Sequence, residues 1–189
     1  MRILITGTPG TGKTTFSLYF SNAHNYYYIN VNELVSKYNL FLDYDYRRKS
    51  HIVDVNKVRY VLRNSLKNIR NVIIDTHIIE VVPKHIDFVV VFRLNPLKLK
   101  EILKSRGYDE IKIAENVEAE FLGVCASDAY KRFNNKVFEL DVTDKTFSDI
   151  ERFIFDVIES KIKSNVIDWM EILQKDEIEK LLSYLSRNR

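Results

Sequence analysis

Five short apolar runs punctuate the chain, and between them hydrophobic positions recur three and four residues apart. The runs are Arg2 to Thr6, Tyr26 to Val31, Asn71 to Asp75, Phe88 to Leu94 and Lys136 to Leu140. Their length suits strands. Val72-Ile73-Ile74 and Val89-Val90-Val91 are continuous β-branched segments of the kind a parallel sheet buries on both faces. The three-and-four spacing predicts helices over Thr14 to Asn22, Val31 to Lys37, Val55 to Leu66, Pro96 to Ser105, Ile111 to Phe133 and Phe147 to Lys163. Pro96 stands at a helix start, where its missing N–H costs little, and Asn95 before it can cap. Strands alternating with helices predict an α/β fold, with a doubly wound, five-stranded parallel sheet and helices on both faces.

The C-terminal stretch reads differently. Val166 to Asn188 carries an apolar stripe of Ile167, Met170, Leu173, Ile178, Leu181, Leu182 and Leu185, set off by a break at Lys163-Ser164-Asn165. The expected organisation is a domain over residues 1–164 and a C-terminal helical extension over 165–189. That extension either packs on the same domain or is offered to a partner or a second copy of the chain.

Composition narrows the class only modestly. With 46% hydrophobic and 29% charged residues, the chain resembles ordinary globular proteins. A net charge of +3 neither demands nor excludes nucleic acid. A single cysteine, Cys125, allows no internal disulfide and fits a reducing compartment, so a cytoplasmic location is expected. No apolar run approaches the ~18 residues of a membrane span. The first strand starts at Arg2, which leaves no room for a signal peptide.

Chemistry enters with glycine. Three of the five glycines fall in GTPGTGKTT, Gly7 to Thr15, which fits G-x-x-x-x-G-K-[ST] between a strand and a helix. Such a turn aims successive backbone N–H groups at one point, and the helix N-terminus adds its positive end. The ligand that fits is a nucleoside triphosphate such as ATP. Lys13 would reach its outer phosphates, and the Thr14 hydroxyl would ligate Mg²⁺. Asp75 closes an apolar strand, the usual place for the acid that holds Mg²⁺ directly or through water. His77, two residues on, is either structural or part of the site at the C-terminal edge of the sheet. Arg106-Gly107-Tyr108 with Lys112 forms either a basic cover over the nucleotide or a plain helix connection.

Four blocks then carry a family resemblance: GTPGTGKTT; YINVNEL from Tyr28 to Leu34, continuing to Asp43-Tyr44-Asp45; VIIDTH from Val72 to His77; and SRGYDEIKIAENVEAE from Ser105 to Glu120. In order and spacing they resemble the adenylate kinase-like ATPases that archaea and eukaryotes use in ribosome assembly, the coilin-interacting nuclear ATPase type. The resemblance runs from about Arg2 to Ile162. It implies a nucleoside monophosphate kinase-like P-loop fold that binds ATP and Mg²⁺. Gly10, Gly12, Lys13, Thr14 and Thr15 would hold the ATP phosphates, and Thr14 and Asp75 the metal. Residues 30–54 would receive AMP, and 105–115 would form a lid whose Arg106 binds ATP and stabilises the transferred phosphoryl. Asp75 and His77 would place Mg²⁺ and an attacking water. The family transfers a phosphoryl from ATP to AMP, hydrolyses ATP, and assists small-subunit maturation with ribosomal protein uS11. Thr76 stands where the family often has tyrosine. Ser36 stands where it commonly has arginine, with Lys37 beside it. The competing expectation is an assembly factor, in which ATP hydrolysis switches binding to a ribosomal protein and its RNA. The run Arg47-Arg48-Lys49, with Tyr44 and Tyr46 nearby, could touch rRNA by charge and stacking.

Overall fold

A computed structural model of the chain describes residues 1–46 and 50–188. Five parallel strands form the central sheet in the order β2-β5-β1-β6-β7: β1 (Arg2–Gly7), β2 (Tyr27–Asn30), β5 (Val72–Asp75), β6 (Phe88–Arg93) and β7 (Val137–Asp141). All five match the predicted apolar runs. Side-chain alternation divides each strand between two apolar layers. Ile3, Ile5, Ile73, Val90 and Phe92 meet Phe16 and Phe20 of α1 (Lys13–His24) and Ile150 and Ile154 of α7 (Phe147–Ile158). Leu4, Val72, Ile74, Val89 and Val91 meet α2 (Val31–Lys37), α3 (Val55–Ser65) and α6 (Val124–Phe133) on the other face. The sheet is therefore covered on both sides, as its continuous apolar strands require.

Several elements depart from the sequence-based expectation. An antiparallel pair, β3 (Phe41–Asp45) with β4 (Ser50–Val53), occupies a stretch the apolar pattern left unassigned. Its inner aromatic, Phe41, stacks on His51 with ring centroids 4.2 Å apart. The predicted helix over 111–133 is two helices, α5 (Glu110–Phe121) and α6, separated at Gly123, which adopts φ 64°. That torsion is one glycine takes without strain, and the turn it makes lies beside the Arg93 guanidinium.

The C-terminal stripe is likewise not one helix. The predicted helix over 147–163 ends at Ile158, where Ser160 takes φ 57° and the amide of Lys161 returns to the carbonyl of Asp156 at 2.8 Å. This is a Schellman stop with serine in the position glycine usually takes. A one-turn helix, α8 (Trp169–Ile172), and then α9 (Lys175–Arg187) follow. Ile167, Trp169, Leu173, Leu181 and Leu185 are buried against α4 (Pro96–Ser105) and α5, whereas Met170 and Leu182 face outward. No helix among the described residues is long and apolar enough to cross a membrane.

Trp169 is 1% exposed, and its indole N–H donates to Glu120 Oε1 at 3.0 Å. Replacing it with alanine removes a large buried ring and one donor to a buried carboxylate. Trp169→Ala should cost about 3–5 kcal/mol in a urea titration; a loss under about 1 kcal/mol would mean that the C-terminal segment is not part of the cooperative core.

Candidate active site

The loop from Gly7 to Gly12 lies at the C-terminal edge of the sheet, between β1 and α1. Gly7 has φ 137°, and a Cβ on it would lie 2.3 Å from the Phe92 carbonyl oxygen. Gly10 has φ 100°, with Leu99 and Leu103 of α4 directly against it. These two positions need glycine for both torsion and space. Gly12, at φ 85°, caps α1 with no side-chain cap, so the first-turn amides of Lys13, Thr14 and Thr15 keep their donors available. The loop is stitched from within by Thr11, whose amide and hydroxyl both donate to the Thr8 carbonyl, at 3.3 and 3.0 Å. Lys13 Nζ donates to that same carbonyl at 2.9 Å.

The structure brings most of the sequence-predicted residues to this edge. Thr14 Oγ1 donates to Asp75 Oδ2 at 2.6 Å, which joins the start of α1 to the end of β5. Tyr28 and Asn30, at the end of β2, add donors to the same oxygen at 3.1 and 3.4 Å. Asn30 also caps α2 through its side-chain oxygen, so the 30–54 region begins beside Asp75. Desolvation pushes the Tyr28 phenol up, and the nearby Asp75 charge pushes it further. The Thr76 hydroxyl accepts from the Ile78 amide at 2.9 Å, turning the chain sharply and leaving His77 at the mouth of the site. Desolvation and then the Lys13 charge push the imidazole below its ordinary value, against Asp75 and Glu80, which favours its neutral form.

Lys13 is buried, and desolvation lowers its pKa; the Asp75, Cys125 and Glu120 charges oppose that, while Arg106 adds to it. Arg106 is thus within electrostatic reach of the lysine although it comes from α4. It caps that helix in a Schellman turn: Gly107 takes φ 74°, its amide donates to the Lys104 carbonyl at 3.0 Å, and the Tyr108 amide donates to the Leu103 carbonyl at 3.2 Å. Asp109 immediately caps α5. The expected 105–115 lid is accordingly a tight turn running into the first half of α5. Thr15 lies exposed on the first turn of α1. Ser36 and Lys37 are exposed on α2, with Lys37 Nζ 5.5 Å from the Tyr38 ring centroid. Arg47, Arg48 and Lys49 lie outside the described residues.

The sequence reading missed the support beneath the loop. Thr8 Oγ1 donates to Glu120 Oε2 at 2.6 Å, and Glu120 Oε1 accepts from Arg93 Nε at 2.8 Å. Arg93 also pairs with Glu139 and donates to the Ile167 carbonyl at 2.9 Å. All three charged side chains are at most 2% exposed. Burial alone would lower the guanidinium pKa, but the two glutamates override it and hold it up. The available signal was a charge inside an apolar strand: Arg93 ends FVVVFR, and Glu139 interrupts VFELD.

Thr14 and Asp75 offer hard oxygen donors side by side, which suits Mg²⁺ completed by phosphate oxygens and water. No group of three or more His, Cys, Asp or Glu side chains able to hold a metal occurs among the described residues. The arrangement can cradle a polyphosphate, neutralise its charge and present a carboxylate to a hydrated cation.

Burial of Lys13 makes a testable cost. Its folded pKa is lowered, so the unfolded chain binds more protons between that value and 10.5, and stability rises with pH through that window. Lys13→Met should therefore raise the melting midpoint at pH 7 by about 2–4 °C, corresponding to roughly 1 kcal/mol, and the gain should shrink as pH approaches 10.5. A lower midpoint at pH 7 would contradict it.

Residues 3–123 match the model of the AAA domain. A Methanocaldococcus jannaschii protein named "Putative adenylate kinase" is 34% identical over 175 residues, covering 90% of this chain and 94% of its own length. A Saccharolobus islandicus protein of the same name is 41% identical over 150 residues, 79% of each chain. Among solved structures, thymidylate kinase from Candida albicans superposes with a TM-score of 0.55 at 17% identity, over 85% of this chain and 91% of that one. Shikimate kinase from Acinetobacter baumannii gives 0.58 at 12% identity, over 85% and 93%. At those identities the likeness is one of fold, a P-loop kinase-like sheet. The coverage and identity of the archaeal relatives decide the family: this chain belongs to the AAA-domain P-loop family of archaeal proteins that carry the name adenylate kinase.

Proposed function

We propose that the chain is a nucleotide kinase that transfers the γ-phosphoryl of ATP to AMP. The observation carrying this reading is the convergence of Lys13, Thr14, Asp75, His77 and Arg106 on one sheet edge, from α1, β5 and the end of α4. ATP would lie with its phosphates against the loop amides and Lys13. Thr14 and Asp75 would hold Mg²⁺, which supplies charge neutralisation for the phosphoryl oxygens. An oxygen of the AMP phosphate attacks the γ-phosphorus, the bond to the β–γ bridging oxygen breaks, and that oxygen leaves as part of ADP, giving two ADP in all. Catalysis is then positioning and charge neutralisation, with Arg106 meeting charge on the transferred group.

AMP would occupy the 30–54 region, whose first residue, Asn30, touches Asp75. The names of the archaeal relatives support this acceptor. The four-block resemblance extends the reading to ATP hydrolysis and to small-subunit maturation with uS11 and rRNA, and the single cysteine, Cys125, supports a cytoplasmic setting. Neutral His77 at the mouth favours the hydrolytic branch, since a neutral imidazole can accept a hydrogen bond from an attacking water.

The deciding measurement follows ADP formation from ATP and Mg²⁺ with and without AMP. AMP consumed with two ADP per event is expected, and AMP left untouched would remove the kinase assignment. Lys13→Met should lower turnover by about 10²–10³-fold or more, and Arg106→Lys, which loses the planar fork, by about 10–100-fold. Hydrolysis without AMP should fall with a midpoint below pH 6.5, because His77 protonates below its ordinary value of 6.5; a fall centred above 7 would exclude His77 from that step.

A further inference from the structure

The end of the sheet opposite the phosphate loop carries a continuous cationic surface. Two adjoining concavities of about 820 and 710 Å³ share Arg2, Lys67 and His85. No carboxylate lines the smaller one, where Arg59, Arg63, Lys84 and Arg132 meet. Several of these charges are fixed without being neutralised. The Arg2, Arg59, Arg132 and Lys136 side chains donate to backbone carbonyls, those of Leu66, Glu80, Val82 and Ile86. Arg63, Lys67, Arg70 and Lys84 are exposed and join no salt bridge among the described residues. Burial and then the neighbouring Arg59 charge push Arg132 below its ordinary value against the opposing Glu80 carboxylate, so Arg59 and Arg132 repel one another. On a chain whose net charge is only +3, the repulsion left among these gathered cations is unfavourable to the fold. It calls for a polyanion.

The rim shows which polyanion. Tyr60 is 69% exposed and lies one turn before Arg63 on α3, with Lys67 in the turn that follows the helix, so a ring stands beside two cations. Tyr27, 58% exposed, flanks Asn71 through its amide, which donates to the Asn71 carbonyl at 2.9 Å. Exposed rings beside a cationic groove suit unstacked bases on a phosphodiester strand. The larger concavity also holds Asp87, with Asn68 and Asn71. A carboxylate there repels phosphate but accepts a hydrogen bond from a ribose 2′-hydroxyl. We propose that this face, at the N-terminal ends of β1, β5, β6 and β7, binds single-stranded RNA, with Arg63, Lys67, Arg70 and Lys84 on phosphates and Tyr27 and Tyr60 under bases. It is separate from the nucleotide site, which lies at the other end of strands about 20 Å long.

Anisotropy of a labelled 12-nucleotide single-stranded RNA of mixed sequence, titrated with the full chain, tests this. Four phosphate contacts predict binding about 50-fold weaker at 200 mM than at 50 mM salt. Saturating ATP should not displace the RNA, and Lys13→Met should bind it within about twofold of wild type. RNA should exceed DNA of the same sequence by about fivefold or more. The triple variant Arg63→Glu/Lys67→Glu/Arg70→Glu should lose about 30-fold or more in affinity while ATP turnover and the melting midpoint are kept. If that triple does not fold, Lys67→Gln/Arg70→Gln should lose about five- to tenfold. Absence of binding at 50 mM salt, indifference to these variants, displacement by ATP, equal affinity for DNA, or preference for vesicles of anionic lipid would each overturn the proposal. Because the readout is RNA affinity and not turnover, its failure is distinct from failure of the kinase reading.

Discussion

One guanidinium held between two carboxylates organises the C-terminal edge of the sheet. An arginine as buried as Arg93 would cost several kcal/mol if left unpaired, and so would either glutamate. Geometry answers that cost. The Glu120 carboxylate accepts from Arg93, Leu94, Trp169 and Thr8, so one side chain ties together β6, the C-terminal segment and the phosphate loop. Arg93 in turn donates to the Glu120 and Ile167 carbonyls, which fixes the end of α5 and the chain entering α8. The surplus negative charge is spread over neutral donors, although Glu139 Oε1 has no hydrogen-bond partner. Removing any member would strand the others, which is why this cluster is cooperative where scattered surface pairs are not.

Above that support, the site is made of parts that would be unfavourable elsewhere. Gly7 and Gly10 give up conformational entropy to bring backbone within reach of an anion. Lys13 is buried against its own preference. A helix begins without a side-chain cap. Each of these debts is settled by a polyphosphate: the amides gain an acceptor, the lysine a counter-charge and the helix an anion at its positive end. The Thr14–Asp75 contact sets a hydroxyl and a carboxylate side by side on the same edge.

Much of the central architecture was legible in the sequence. Continuous apolar strands and helical spacing located all five sheet strands and most helices, because burial on both faces leaves a strong compositional trace. The loop and Asp75 were legible because their chemistry is local in sequence. The losses have physical causes. Phe41 to Asp45 and Ser50 to Val53 pair with each other at an exposed site, so they need no long apolar run. The stops at Gly123 and Ser160 rest on backbone torsion, and at Ser160 the residue type gave no sign. The Thr8–Glu120 contact joins residues 112 positions apart, beyond any periodicity. Of the seven stripe positions at the C-terminus, Met170 on α8 and Leu182 on α9 face solvent, because the stretch is two helices rather than one and Leu182 turns away from the face that buries Leu181 and Leu185.

That separation has a consequence for the order in which the protein is made. Thr8 of the phosphate loop leaves the ribosome 112 residues ahead of Glu120, which holds it and is itself held by Arg93 and, later in the chain, by Trp169. During synthesis the loop can be drawn by β1 and α1 long before its floor exists. The loop is therefore encoded before its support and finished after it, so a nascent chain that has not yet reached Trp169 has the motif without the brace.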